Sequence, residues 1–152
     1  MFIRIAMEGI NYRFPFNPSA LMTENGSIET CDIAESIAQN IMLLIITKKG
    51  ENRYDENYGN DVWNVEFDNG ISSAVWENVF INSLKRQISD YEHRLVNPQI
   101  KAHIVFVEHN YDTRNFTEIK KKVKIAINAK LEATGEQFNF ATELFLSPMS
   151  ID

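Results

Sequence analysis

Residues 119–133 read Ile119-Lys120-Lys121-Lys122-Val123-Lys124-Ile125-Ala126-Ile127-Asn128-Ala129-Lys130-Leu131-Glu132-Ala133. Ile119, Val123, Ile125, Ile127, Ala129, Leu131 and Ala133 fall on one side of an extended chain; Lys120, Lys122, Lys124, Asn128, Lys130 and Glu132 fall on the other. A period of two with one apolar and one charged side is that of a strand in a sheet with one wet face. Thr134-Gly135-Glu136 follows as a short hairpin connection. Residues 137–146 then alternate again, with Phe138, Phe140, Leu144 and Leu146 on one side. Upstream, residues 99–109 are rich in Ile, Val and Phe. Neighbouring strands with short connections predict a three-stranded antiparallel meander.

The segments before the meander change period. Ile33, Ile37, Ile41, Leu44 and Ile45 share one helical face, which predicts a helix over residues 32–48. Asp32 is its expected N-cap, with Glu35 in a capping-box position, and Lys48, Lys49 and Gly50 suit its C-terminus. Trp76, Phe80, Leu84, Ile88, Tyr91 and Leu95 predict a second helix over residues 73–95, capped by Ser73 and stopped by Asn97-Pro98. The expected fold is α+β: two main helices packed on the meander, with an irregular N-terminal arm. A single domain is expected over residues 1–152. Residues 1–31 form the arm, because Phe14-Pro15-Phe16-Asn17-Pro18 is incompatible with a helix interior; a short strand is expected at residues 2–7.

Residues 51–71 read as a long ordered loop. Glu51, Asp55, Glu56, Asp61, Glu66 and Asp68 face only Arg53 as a cation, and Tyr54, Tyr58, Trp63 and Phe67 are interleaved with them. A loop of this length in a compact domain usually carries function.

Charge narrows the partners. Residues 1–70 carry 5 Lys and Arg against 11 Asp and Glu, residues 71–152 carry 10 of each, and the whole chain is at −6. An acidic chain is a poor general binder of nucleic acid, which requires clustered cations. The lysines at 120, 122, 124 and 130 read either as a solvated, edge-protecting face or as a docking surface for an acidic partner. Cys31 is the single cysteine, the usage of a reducing compartment, and reads as a packed side chain. Arg4 and Glu8 interrupt any leader-like run, and the apolar segment from Ile41 to Ile46 is too short to span a bilayer. A cytoplasmic protein without membrane insertion is expected.

Catalytic signals are generic. The loop carboxylates Glu51, Asp55, Asp61 and Glu66 are the residue type that glycoside hydrolysis uses in pairs. His93, His103 and His109 stand without a nucleophile elbow or a metal-ligand spacing, and there is no glycine-rich phosphate loop. No cofactor, metal or small-molecule substrate is expected.

Several segments, in order, resemble one family. Gly9-Ile10-Asn11-Tyr12-Arg13-Phe14-Pro15-Phe16 is similar to an N-terminal aromatic-proline segment. Thr47-Lys48-Lys49-Gly50-Glu51-Asn52-Arg53 is similar to a Thr-x-x-Gly-Glu-Arg motif after the first helix, and Asn57-Tyr58-Gly59 to an aromatic-Gly turn. Glu92-His93-Arg94-Leu95 stands where the second helix is followed by Glu-Pro-Arg-Ile/Leu. These are features of the gene-25-like baseplate family of contractile phage tails, which includes the TssE subunit of type VI secretion systems. The chain departs from the pattern where Asn52 is inserted, where His93 replaces proline, and where Glu56 stands at an expected proline.

The resemblance implies a structural protein, not an enzyme, that sits in the baseplate wedge and starts the contractile sheath. It implies wedge proteins and the sheath protein as partners. Glu92 and Arg94 would contact the wedge core, and Gly50, Glu51, Arg53, Tyr58 and Gly59 belong to the same protein-binding set. A strand edge, with 137–146 the candidate, would receive a neighbouring sheath strand. Two other functions remain open on these residues: a peptidoglycan hydrolase using the acidic loop, and a regulatory adaptor on the same fold.

Overall fold

A computed structural model describes residues 11, 19, 31–64, 71–111 and 116–146. It divides into two compact units, residues 1–40 and 41–152. The arm expected over residues 1–31, apart from Asn11, Ser19 and Cys31, and the strand expected at 2–7 lie outside the described residues.

In the first unit, helix α1 (Ile33–Ile46) begins. Asp32 caps it through Oδ1, which accepts the Glu35 N–H at 2.7 Å. Half-buried Cys31 donates its N–H to the Asn11 carbonyl at 2.9 Å.

The second unit holds the end of α1, a 3₁₀ turn (Asp61–Asn64), helix α2 (Ser73–Tyr91) and strands β1 (Leu95–Tyr111), β2 (Phe116–Leu131) and β3 (Gln137–Leu146). The strands form an antiparallel sheet in the order β1-β2-β3. The fold is α+β, as the alternating and helical periods predict. Ile104, Val123 and Leu144 align across one row, and Ile100, Ile127 and Phe140 across another. Val123, Ile125, Ile127, Ala129 and Leu131 are all buried. They share their side of the sheet with Ile100, Ile104 and Phe138, and α2 packs against β1. Trp76, Phe80, Leu84 and Ile88 on α2 are at 0–1% exposure, each such side chain contributing about 1.5–3 kcal/mol by leaving water. Trp76 stacks on Phe80 one turn later, with centroids 5.4 Å apart and planes at 6°.

The second helix is shorter than its stripe suggests. It ends at Tyr91, with Glu92 as C-cap and Ser72, not Ser73, as N-cap. Leu95 continues the spacing of the stripe but pairs with Leu131 in the sheet. Asn97-Pro98 therefore lies inside β1, where Asn97 takes a positive φ of 51° at a register shift between Val96 and Gln99. A bulge accepts both residues: asparagine tolerates the left-handed region, and proline has no ladder donor to lose. Lys48 and Lys49 lie past the end of α1, whose last turn has no cation. Lys48 instead bridges in parallel to Asn60. Among the described residues, no helix is long and apolar enough to cross a membrane.

Candidate protein-contact surface

The loop after α1 is folded back on itself. Lys48 and Glu51 close a turn in which the Glu51 N–H meets the Lys48 carbonyl, and the Lys48 N–H meets the Glu51 carboxylate, both at 3.0 Å. Gly50, at φ 89°, occupies the third position of that turn, where positive φ is required. Glu51 thus holds the backbone locally, while Arg53 and Tyr54 point into solvent, Tyr54 at 90% exposure.

The returning limb passes at van der Waals distance. The Asn60 N–H donates to the Thr47 carbonyl at 2.8 Å. Gly59, at φ 116°, is buried so tightly that a Cβ would lie 2.8 Å from backbone atoms of Thr47, Lys48 and Lys49. The glycine of the Asn57-Tyr58-Gly59 turn is there because nothing larger fits.

Helix α2 clamps this limb with two polar residues on its apolar stripe. Gln87, 1% exposed, accepts the Gly59 N–H at 2.8 Å and donates to the Asn57 carbonyl at 2.9 Å. The Ser83 hydroxyl accepts the Asp61 N–H at 2.9 Å. The motif reading missed both residues; their signal was a polar side chain at core spacing between Phe80, Leu84 and Ile88. Trp63 adds an indole N–H to the Ile45 carbonyl at 2.7 Å and an edge-on contact with Trp76.

Tyr58 sits edge-on to Tyr91 with centroids 5.0 Å apart, and burial pushes its phenol pKa up. The Tyr91 hydroxyl donates to Asp55 at 2.6 Å. That bond, ahead of desolvation and nearby negative charge, pushes the Tyr91 pKa up to about 12. The same bond, with the Asn57 N–H, holds Asp55 below the ordinary carboxylate value. Burial works to raise Asp61, but the Arg86 and Lys49 cations beside it outweigh this and lower its pKa. Lys49, Arg86, Asn57, Gln87, Asp90 and Tyr91 line a polar cleft of about 370 Å³.

At the end of α2 the geometry is unlike a solvent-exposed tip. Glu92 is 2% exposed, and its two carboxylate oxygens accept from Nε and an Nη of Arg94, both at 2.7 Å. Arg94 keeps about a third of its side chain in solvent (34%), while its carbonyl accepts the Glu132 N–H beside the β2–β3 turn. The planar fork of arginine matches a carboxylate in this way, so the guanidinium is held in one orientation. His93 between them is exposed. The structure therefore links Tyr58 and Gly59 to α2 through Tyr91 and Gln87, places Gly50 and Glu51 in a turn beyond them, and leaves Arg53 and Arg94 as the accessible cations of the set.

Three of the loop carboxylates already have partners. Glu51 closes a turn, Asp55 binds a tyrosine and Asp61 binds two cations. Asp55 and Asp61 are shifted downward, whereas a general acid needs an upward shift. Glu66 lies outside the described residues. Among the described residues no group of His, Cys, Asp and Glu has the arrangement of a metal site.

The sheet edges differ. On β1, the Ile104 N–H points away from β2 and is capped at 2.8 Å by Glu77 from α2. On the far side, β3 has no strand neighbour among the described residues. Antiparallel pairs alternate between hydrogen-bonded and non-hydrogen-bonded. The outward N–H of Ile104 therefore makes Val123–Leu144 a hydrogen-bonded pair and leaves the N–H groups of Asn139, Ala141 and Glu143 on the open edge.

Comparison with known proteins bears on the fold and the family. A search of curated protein sequences gave no match. A protein from Geobacter sulfurreducens, whose crystal structure is described as that of a "putative tail lysozyme", has the same fold at a TM-score of 0.55 and 16% identity, covering 82% of this chain and 100% of its own. Residues 31–136, which run from just before α1 through β1 and β2 to the β2–β3 turn, match the model of the family described as baseplate wedge protein gp25. The chain belongs to the baseplate wedge protein gp25 family.

Proposed function

We propose that the chain is a non-catalytic baseplate subunit of a contractile injection machine, of the phage-tail or type VI secretion kind, that links the wedge core to the sheath and initiates sheath assembly. The observation that carries this reading is the inequality of the sheet edges: on β1 the Ile104 N–H is taken by Glu77, whereas β3 has no strand neighbour among the described residues. An open edge with outward N–H groups is a template for a strand from another chain. The oriented guanidinium of Arg94 supports a second contact, to a carboxylate or a backbone carbonyl of a wedge protein. Arg53, Tyr58 and the glycines that shape their loop support the same surface. The machine assembles in the cytoplasm, with wedge and sheath proteins as partners.

The test is sheath assembly in cells carrying Asn139→Pro or Arg94→Gln. Proline at 139 removes one outward N–H and leaves the β2–β3 ladder its own bonds. Both variants are expected to accumulate as folded protein, judged by circular dichroism, and to leave sheaths absent in electron micrographs. Sheaths of normal number and length with both variants would overturn the proposal. Incubation of the purified protein with cell-wall peptidoglycan is expected to release no fragments.

A further inference from the structure

The side of the sheet opposite the core has a charge pattern that strand pairing does not use. Register places Lys101, Ala126 and Ala141 in one row, His103, Lys124 and Glu143 in the next, and Val105, Lys122 and Phe145 in a third. Lys130 stands on the same side further along β2, and β1's Val107 pairs with Lys120 at the other end. A solvated lysine face would be polar throughout. This one exposes Phe145 at 63% and Val107 at 37%, and the small side chains of Ala126 and Ala141 leave a trough of about 410 Å³ rimmed by Lys101, His103, Lys124 and Glu143. In a chain of net charge −6, cations are concentrated here.

Some of these cations are already ordered. Glu143 pairs with Lys122 and lies 4.0 Å from Lys124, and the Lys122 ammonium stands 5.6 Å from the centroid of the Phe145 ring. Side chains fixed before binding lose less entropy on contact. Lys101 and Lys130 have no ion-pair partner among the described residues, and His103 reaches Glu77 at 3.5 Å.

We infer that this face is a docking surface for an acidic segment of a partner protein, whose carboxylates meet Lys101, Lys124 and Lys130 and whose small apolar side chains sit on Ala126 and Ala141. A protein segment fits better than a nucleic-acid backbone: Glu143 stands in the middle of the cations, and the floor is apolar. Neither feature serves a run of phosphates. The surface shares Ala141 and Glu143 with the β3 edge, but it uses their side chains, whereas strand addition would use their N–H groups.

The probe is a synthetic peptide of alternating glutamate and alanine, titrated into the full chain and followed by amide chemical shifts. Saturable shifts are expected at Lys101, His103, Lys124, Ala126 and Ala141. Affinity should fall as salt rises from about 50 to about 300 mM. Lys101→Glu with Lys124→Glu should weaken binding at least about tenfold. Ala141→Tyr fills the trough without changing charge, and should weaken it about fivefold through lost contact. Both variants alter exposed side chains, and an unchanged spectrum elsewhere confirms the fold. Shifts scattered over the surface, unchanged binding by the Ala141→Tyr protein, or tighter binding of a short DNA duplex would each overturn the inference.

Discussion

Gln87 holds both sides of the Gly59 turn at once, its amide oxygen on the Gly59 N–H and its amide nitrogen on the Asn57 carbonyl. Both bonds join the helix to backbone, and the side chain is out of solvent. Gln87→Leu keeps the volume and removes both partners. It should cost about 2–3 kcal/mol, the penalty of burying an unpaired donor with a weakened acceptor. Urea denaturation read by tryptophan fluorescence measures it. A loss under about 0.5 kcal/mol would mean that water replaces the amide.

The two glycines of the loop motifs should respond differently to alanine. Gly50 has a positive φ but open space around it, so Gly50→Ala should cost about 1–2 kcal/mol. Gly59→Ala adds overlap with the Thr47–Lys49 backbone and should cost about 3–4 kcal/mol. Thermal melts of the two variants side by side should show the larger fall for position 59.

Glu92 and Arg94 form an unequal pair. Arg94→Ala strips a buried carboxylate of its bidentate counter-ion, and should destabilise by about 3 kcal/mol. Glu92→Gln leaves a guanidinium that already reaches water, and should cost less, about 1–2 kcal/mol. The double variant should be more stable than Arg94→Ala alone, because it removes the buried charge together with its partner. Equal losses in the two single variants would contradict this asymmetry. Arg94→Gln is the better probe of binding, since it retains a donor toward Glu92.

Stability should depend on pH at both extremes through the Asp55–Tyr91 bond. Asp55 and Asp61 have folded pKa values below their unfolded ones, so their contribution is present above the unfolded value near about 4 and fades as pH falls through the lower folded value. Tyr91 is raised to about 12, so its contribution is present below the unfolded value near about 10 and is lost as pH climbs through the folded one. Tyr91→Phe should flatten the alkaline side of the stability profile and shrink the acid side. An unchanged alkaline limb would place that titration elsewhere.

The sheet was legible because a period of two with one charged side has few other solutions. Of its strands, β3 (Gln137–Leu146) falls on the alternation read over 137–146, and β2 (Phe116–Leu131) starts before the alternation read over 119–133 and stops two residues short of its end. The end of α2 was not legible. Leu95 lies four residues after Tyr91, as a helical stripe demands, and only its partner Leu131, far along the chain, assigns it to a strand. The same distance effect hid the burial of Glu92, since nothing local announces that a charged residue at a helix terminus turns inward. Gly50 and Gly59 could be picked out as turn residues, but the reason for Gly59 is a backbone from another part of the loop. Ser83 and Gln87 carried the clearest unused signal, as polar residues where the stripe calls for apolar ones.

The bidentate grip on Arg94 also has a mechanical side. A guanidinium anchored at two atoms resists swivelling, and its anchor is the residue that ends α2. A load taken up at Arg94 therefore has a hydrogen-bonded route to the last turn of that helix and, through Tyr91 and Gln87, to the folded-back loop.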